Sequence, residues 1–398
     1  MLNKKTEEKK VAPHLPKEVR LKGQDAIVKE NWFLQLFILA VVFGFVSGLV
    51  GGMVVNSRFF DNWLWGQDGL GNPATTSSRI ESGNLSYENL KRESFSAVFD
   101  FYPAAALNKD GFLDPSLKVG SGFFLTSNGY AAASKIILEK FNRKDLVVVD
   151  QDKKIYTLEK VAADPVSDLA IVKVNREGAS TLSFAGEDDV YSDLDVWLPF
   201  LNSGLYQTKV LDADYWIPRI HADYYLNSEK IYRLGLLKNS LDKKSSGIPV
   251  VNLRGQTVGM LLGIDASSNF NSFVKSAVIS SALKQVLENG IIRRNYLGLQ
   301  YQEAGEVTGN KKTNRNGVIL VNNPFTGAGF VDKKSPLFTV GLKAGDNVLN
   351  INDEVISSVR SLPEILLDYS PGSKVKIKYS RDGIEKIEEV ILGQISSK

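Results

Sequence analysis

The sequence predicts a mostly β protein: a barrel or sandwich of short strands, then a smaller mixed domain, the whole carried behind one N-terminal transmembrane helix. Three observations predict it. An uncharged apolar run stands near the N-terminus, a long series of short apolar stretches separated by turn residues follows, and the character of the chain changes after Arg293 and Arg294.

The membrane reading rests on Phe33 to Val55, FLQLFILAVVFGFVSGLVGGMVV. As a helix rising about 1.5 Å per residue it covers the roughly 30 Å hydrocarbon layer. Lys4, Lys5, Lys9, Lys10, Lys17, Arg20, Lys22 and Lys29 precede it, whereas the first basic residue after it is Arg58. The positive-inside rule then keeps residues 1–32 as a basic cytoplasmic tail and puts the rest of the chain outside, with Trp32 as an interfacial anchor. The alternatives are a buried core helix and a cleaved signal peptide. The absence of a polar stripe argues against the first, and an apolar run beyond the usual ~7–15 residues argues against the second.

Residues 56–88 mix Gly, Ser, Thr, Asn and Pro with little apolar periodicity and read as a flexible tether. From there SAVFDFY, GSGFFLTSNGYAAASKIIL, DLVVVDQDKKIYTLEKV and DLAIVKVN read as strands and turns. The pattern runs on through VWLPFL, TKVLDADYWI, IPVVNLRGQTVGMLLGI and FVKSAVI, and SALKQVLENGI reads as one helix ending near Gly290. That makes residues 89–290 one strand-rich body, as in a barrel or sandwich. In residues 291–398, strands at YLGLQY, GVILVNN, NVLNIND and KVKIKYS surround a helical LPEILLDYS.

Composition bounds the chemistry. With 398 residues, 43% of them hydrophobic and 23% charged, the chain has enough apolar side chains for two or three cores. A net charge of +3 with no long basic run argues against nucleic acid as a partner. There is no cysteine, and the two histidines, His14 and His221, lie far apart, so no metal and no cofactor is expected.

Three segments, in this order, resemble the HtrA family of trypsin-fold serine proteases. GSGFFLTSNGY is similar to the strand and turn before that family's catalytic histidine, DPVSDLAIVKV to its aspartate segment, and SSGIPVVNLRGQTVGM to its nucleophile segment. The resemblance implies a trypsin-like double β-barrel, with Asp168 as the triad aspartate and Ser246 as the nucleophile. Ungapped counting from Gly120 puts Ile136 at the histidine position, and a shift of one residue gives Lys135 or Ile137. A serine hydroxyl needs a base during attack, and loss of a triad member typically costs on the order of 10⁴ to 10⁶ in rate. Lys244 and Ile248 also replace two glycines that in the family shape the oxyanion-binding turn. The alternatives are an ordinary turn serine at Ser246, a structural carboxylate at Asp168, and rescue by Lys135 or His221 as base.

The C-terminal part resembles an HtrA-type PDZ domain, an α+β fold. YLGLQ is similar to the carboxylate-binding loop and SPLFTVGLKAGDNVLNINDEVI to the family's core. That resemblance implies that the amides of Leu297, Gly298 and Leu299 receive the C-terminal carboxylate of a polypeptide, which adds as a strand beside Leu299. It also implies an apolar pocket partly formed around Leu362, Ile365 and Leu366. The alternative is a core strand whose glycine permits close packing. The function expected is that of a single-pass, extracytoplasmic pseudoprotease that binds polypeptides in protein quality control or as a scaffold. Its competitor is an active serine endopeptidase with a non-standard base. The resemblance further implies a homotrimer or assembly with an active paralogue.

Overall fold

The structure is a computed structural model that describes residues 76–395 except 110, 217–219, 242, 265–269 and 307–315. The expected basic tail 1–32, the transmembrane helix 33–55 and most of the tether lie outside the described residues. Among the described residues no helix is long and apolar enough to cross a membrane.

The first described element is helix α1, Thr76–Ala97. Its N-terminal part overlaps the stretch read from composition as tether, so the linker expected over 56–88 does not extend unstructured to its end. Leu90 and Ala97 supply a narrow apolar face that packs with Leu182, Trp197 and Val251. Tertiary contact, rather than local periodicity, holds this helix.

Six strands then close the first barrel: β1 Val98–Pro103, β2 Gly120–Phe124, β3 Tyr130–Ser134, β4 Leu146–Asp150, β5 Ile155–Ala163 and β6 Leu169–Val174, in the order β1-β2-β3-β6-β5-β4. Helix α2, Lys135–Lys140, follows β3. The barrel is filled by Phe99, Phe101, Phe124, Leu146, Val148 and Val172. Along β1 and β2 they alternate with Val98 and Phe123, which point the other way into a second core, as successive strand side chains must.

The second barrel uses β7 Asp195–Phe200, β8 Gly204–Tyr215, β10 Leu234–Leu237, β11 Pro249–Val251, β12 Thr257–Ile264 and β13 Asn271–Lys275, closed in the order β10-β13-β12-β11-β7-β8. Between β8 and β10 the chain makes a short strand, β9 Leu226–Asn227, that leaves this barrel altogether. Helix α3, Ser276–Asn289, ends at Gly290 in the left-handed conformation, φ +75°, as the glycine predicts. Its buried face joins Val98, Phe123, Ile171, Met260 and Val274 in a core between the two barrels.

The C-terminal domain comprises β14 Asn295–Tyr296, β15 Gln300–Glu303, β16 Val318–Leu320, β17 Asn347–Ile351, β18 Glu354–Val355, helix α4 Leu362–Leu366, β19 Lys374–Arg381, β20 Ile384–Ile391 and β21 Gly393–Gln394. Its main sheet runs β20-β19-β17-β16-β15-β9, with β18 paired to β17. A strand of the barrel insertion is therefore the edge strand of this sheet. Ser361 and Glu364 form a capping box at α4. Leu362, Ile365 and Leu366 are buried in the domain core, which also takes in Leu226.

The most deeply buried ion pair between the two parts joins Arg294 to Asp164. Arg294 donates from Nε to Asp164 Oδ1 at 3.1 Å and from a terminal nitrogen to Asp164 Oδ2 at 2.7 Å. Asp164 is fully buried and Arg294 is 4% exposed. Removing one partner of such a pair strands the other charge without solvent, so Arg294→Ala is expected to destabilise the full chain by about 3–5 kcal/mol. Urea unfolding reads this as a lower midpoint. Arg294→Met with Asp164→Leu should cost less than the single change, and a single variant as stable as the parent would contradict the account.

Candidate functional site

Ser246 follows a short 3-10 turn, Lys243–Ser245, and enters β11 through Gly247 and Ile248. Gly247 has φ +91°, and a Cβ there would meet the Ser121 carbonyl oxygen at 1.9 Å, so this position accepts only glycine. The turn is stitched to both barrels. Ser121 N donates to Ser246 O at 2.9 Å, and Gly247 N donates to Leu261 O at 2.7 Å. The Ser246 side chain is buried, and its hydroxyl donates to the main-chain carbonyl of Leu262 at 2.7 Å. A carbonyl oxygen holds that proton in place; it is too weak a base to remove it.

Ile136 stands beside Ser246 on the wall of one cleft, of about 470 Å³, with Lys118, Lys140, Phe141, Lys244 and Leu262. Ile136 is 39% exposed, whereas Ile137 is 4% exposed and turns into the first barrel's core. Asp168 is exposed and lines the adjoining cavity with Lys135 and Ser167. Its main-chain carbonyl accepts from Lys135 N at 2.9 Å. Asp164, four residues earlier in the same motif, is the buried carboxylate, and it accepts from Ser167 Oγ at 2.7 Å, Val166 N at 3.1 Å and Arg294.

The two candidate replacement bases are engaged elsewhere. Lys135 Nζ donates to Asp164 O at 3.2 Å and lies 3.8 Å from Glu139 Oε1. His221 is exposed and packs on the rings of Tyr225 and Phe325, at 5.8 and 5.6 Å between centroids. Neither residue lines the cleft that holds Ser246.

The second candidate site is the turn Tyr296–Gln300. Gly298 has φ +71°, and a Cβ there would meet Ser335 Cβ at 2.7 Å, so the glycine lets the loop present successive amides on one side. Those amides have partners. Leu297 N and Gly298 N donate to Glu229 Oε1 at 3.0 and 2.7 Å, and Leu299 N donates to Ser228 Oγ at 2.9 Å. Burial pushes the Glu229 carboxyl above its ordinary pKa, while the Ser228 hydroxyl and these two amides pull it back. The place expected for an incoming strand beside Leu299 is filled by residues 226–228: Asn227 pairs with Gln300 and Leu226 with Tyr301.

A family model described as a PDZ domain matches residues 296–392. The chain is 27% identical over 285 residues to a probable periplasmic serine endoprotease, DegP-like, of Bartonella henselae, a match covering 67% of this chain and 51% of that protein. It is 23% identical over 343 residues to the serine endoprotease DegS of Haemophilus influenzae, covering 82% of this chain and 95% of the relative. The chain is similar to HtrA-family serine endoproteases and carries a PDZ match at its C-terminal end. Its fold matches a structure titled HtrA-type protease AlgW with tripeptide, at a TM-score of 0.56 and 18% identity, covering 78% of this chain and 98% of that one. The DegP-like relative is about twice as long as the part this chain matches.

The sequence motifs did not single out Ser228, Glu229 or Asp164 as site residues, and Arg294 entered only as a domain boundary. The DPVSDLA motif held a signal for Asp164, since an Asx turn before a strand favours that residue type. Nothing local marks Glu229. Because the Ser246 hydroxyl serves the Leu262 carbonyl, Ser246→Ala is expected to cost about 0.5–1.5 kcal/mol of stability. Thermal or urea unfolding measures it, and an unchanged or stabilised variant would remove the structural role.

Proposed function

We propose that this chain is a membrane-anchored, extracytoplasmic HtrA-family pseudoprotease that binds polypeptides and hydrolyses them very weakly or not at all. The observation that carries the reading is the state of Ser246: its hydroxyl donates to a carbonyl, and the apolar Ile136 lines the cleft beside it. An alcohol without a base attacks an amide too slowly to matter, by the 10⁴ to 10⁶ on the order of which triad losses are measured. Lys244 at the first of the two lost glycine positions reinforces this, because its side chain reaches across to Ser116 O at 2.7 Å. The periplasmic descriptions of the relatives and the apolar segment 33–55 support an extracytoplasmic body on a membrane anchor. The PDZ match and the peptide-bound HtrA-type neighbours support polypeptide C-termini as ligands.

A fluorophosphonate probe on the full chain tests the chemistry. Labelling is expected to stay at the level of Ser246→Ala, with no casein cleavage. Labelling of Ser246 well above that background, together with cleavage lost in Ser246→Ala, would make the chain an active endopeptidase. Ile136→His alone is expected to remain unlabelled, since the hydroxyl keeps its Leu262 partner and Lys244 and Ile248 still occupy the glycine positions. Labelling restored by that one change would overturn the turn geometry as a second block.

A further inference from the structure

The amides that would receive a polypeptide carboxylate already hold one from the same chain. Glu229 Oε1 accepts from both Leu297 N and Gly298 N, and Ser228 Oγ accepts from Leu299 N. Upstream of that carboxylate the chain runs antiparallel to β15 in the register of an added strand, and Ser228 N returns a bond to Leu299 O at 3.1 Å. Strand addition with a carboxylate at the loop is how a peptide ligand is bound by such a groove.

The segment ends as a peptide would. Asn227 Oδ1 accepts from Glu229 N at 3.2 Å and Lys230 N at 2.9 Å, turning the main chain away while the Glu229 carboxylate reaches back to the Leu297 and Gly298 amides. Leu226 is 1% exposed and is built into the domain core with Leu299 and Tyr301. A carboxylate on a side chain thus stands in for a terminal one, with an apolar residue behind it.

We infer that residues 226–229 are a built-in ligand of the PDZ groove, which is closed in the resting protein and admits a foreign C-terminus only when this segment leaves. The inference takes its external ligand class from the reading above; the cap itself rests on geometry alone. A tethered ligand competes at a high effective concentration, and a foreign peptide sees only the fraction of molecules in which the groove is free. Glu229 is the key, because its removal leaves two amides without an acceptor while Leu226 and Ser228 stay.

The test uses the full chain, as parent, Glu229→Ala and the near-isosteric Glu229→Gln, with thermal unfolding to show that each is folded. Hydrogen exchange across residues 296–300 is read first. The Leu297 and Gly298 amides should exchange at least about tenfold faster in Glu229→Ala than in the parent, with Glu229→Gln between them. Binding of a fluorescein-labelled pool of C-terminally randomised decapeptides is read second. It should be at least about tenfold tighter in Glu229→Ala, and the same pool with amidated C-termini should gain nothing. Equal exchange in parent and variants, or parent binding as tight as Glu229→Ala, would overturn the internal cap. Faster exchange with no peptide held by any of the three would uphold the cap and overturn peptide binding as the function of the groove.

Discussion

The buried pairing of Arg294 with Asp164 fixes where the C-terminal domain stands on the barrels. Arg294 sits at the first residues of that domain, and Asp164 closes the loop that leads into β6, 130 residues earlier. The guanidinium fork also reaches Ser281 Oγ at 3.0 Å, and that hydroxyl donates to Leu367 O at 3.1 Å, just past α4. From the other side Lys135 Nζ donates to Asp164 O. One polar chain therefore runs from α2 through Asp164 and Arg294 to α3 and α4. Planar, bidentate geometry gives such a contact a single orientation, which a lysine in its place would not.

A second charged seam repeats the theme nearby. Lys275, at the end of β13, donates to Glu364 Oε1 of α4 at 2.9 Å and also contacts Asp214 of β8. Burial pulls the Lys275 amine down, but the Glu364 and Asp214 carboxylates outweigh this and hold it above its ordinary value. Arg233 adds contacts to Asp214 and to Glu303 of β15. Desolvation offsets most of the attraction in pairs like these, so their effect lies more in selecting one docking geometry than in raising stability. Arg233, four residues past Glu229, thus ties that part of the chain to β8 and β15.

Much of the fold was legible because its signals are local. Short apolar stretches between turn residues marked the barrel strands, and Gly290 marked the end of α3. Helix α1 was not legible: beyond Leu90 and Ala97 it offers few apolar residues, and its stability comes from Trp197 and Val251 more than a hundred positions on. The site divided in the same way. Ser246 and Ile136 follow from a motif and a count, but the hydroxyl's partner, the Leu262 carbonyl, is set by how β12 lies against the turn. Asp164 and Asp168 are the same residue type in one motif, and only the packing of Arg294 distinguishes the buried one from the exposed one. Ser228 and Glu229 meet the PDZ loop across some seventy residues of chain, a distance over which sequence pattern carries no pairing information.

The strand β9 has a consequence for solubility. An empty strand-binding groove is a sheet edge with free amides and carbonyls, and such an edge invites pairing with any other extended chain. The opposite edge, β20, is blunted by Glu385, Lys386, Glu388 and Glu389 along its length. On the β15 side two residues of the molecule's own backbone do the same work by covering the edge. A protein held at high local density would thereby be kept from stacking its sheets against those of its neighbours.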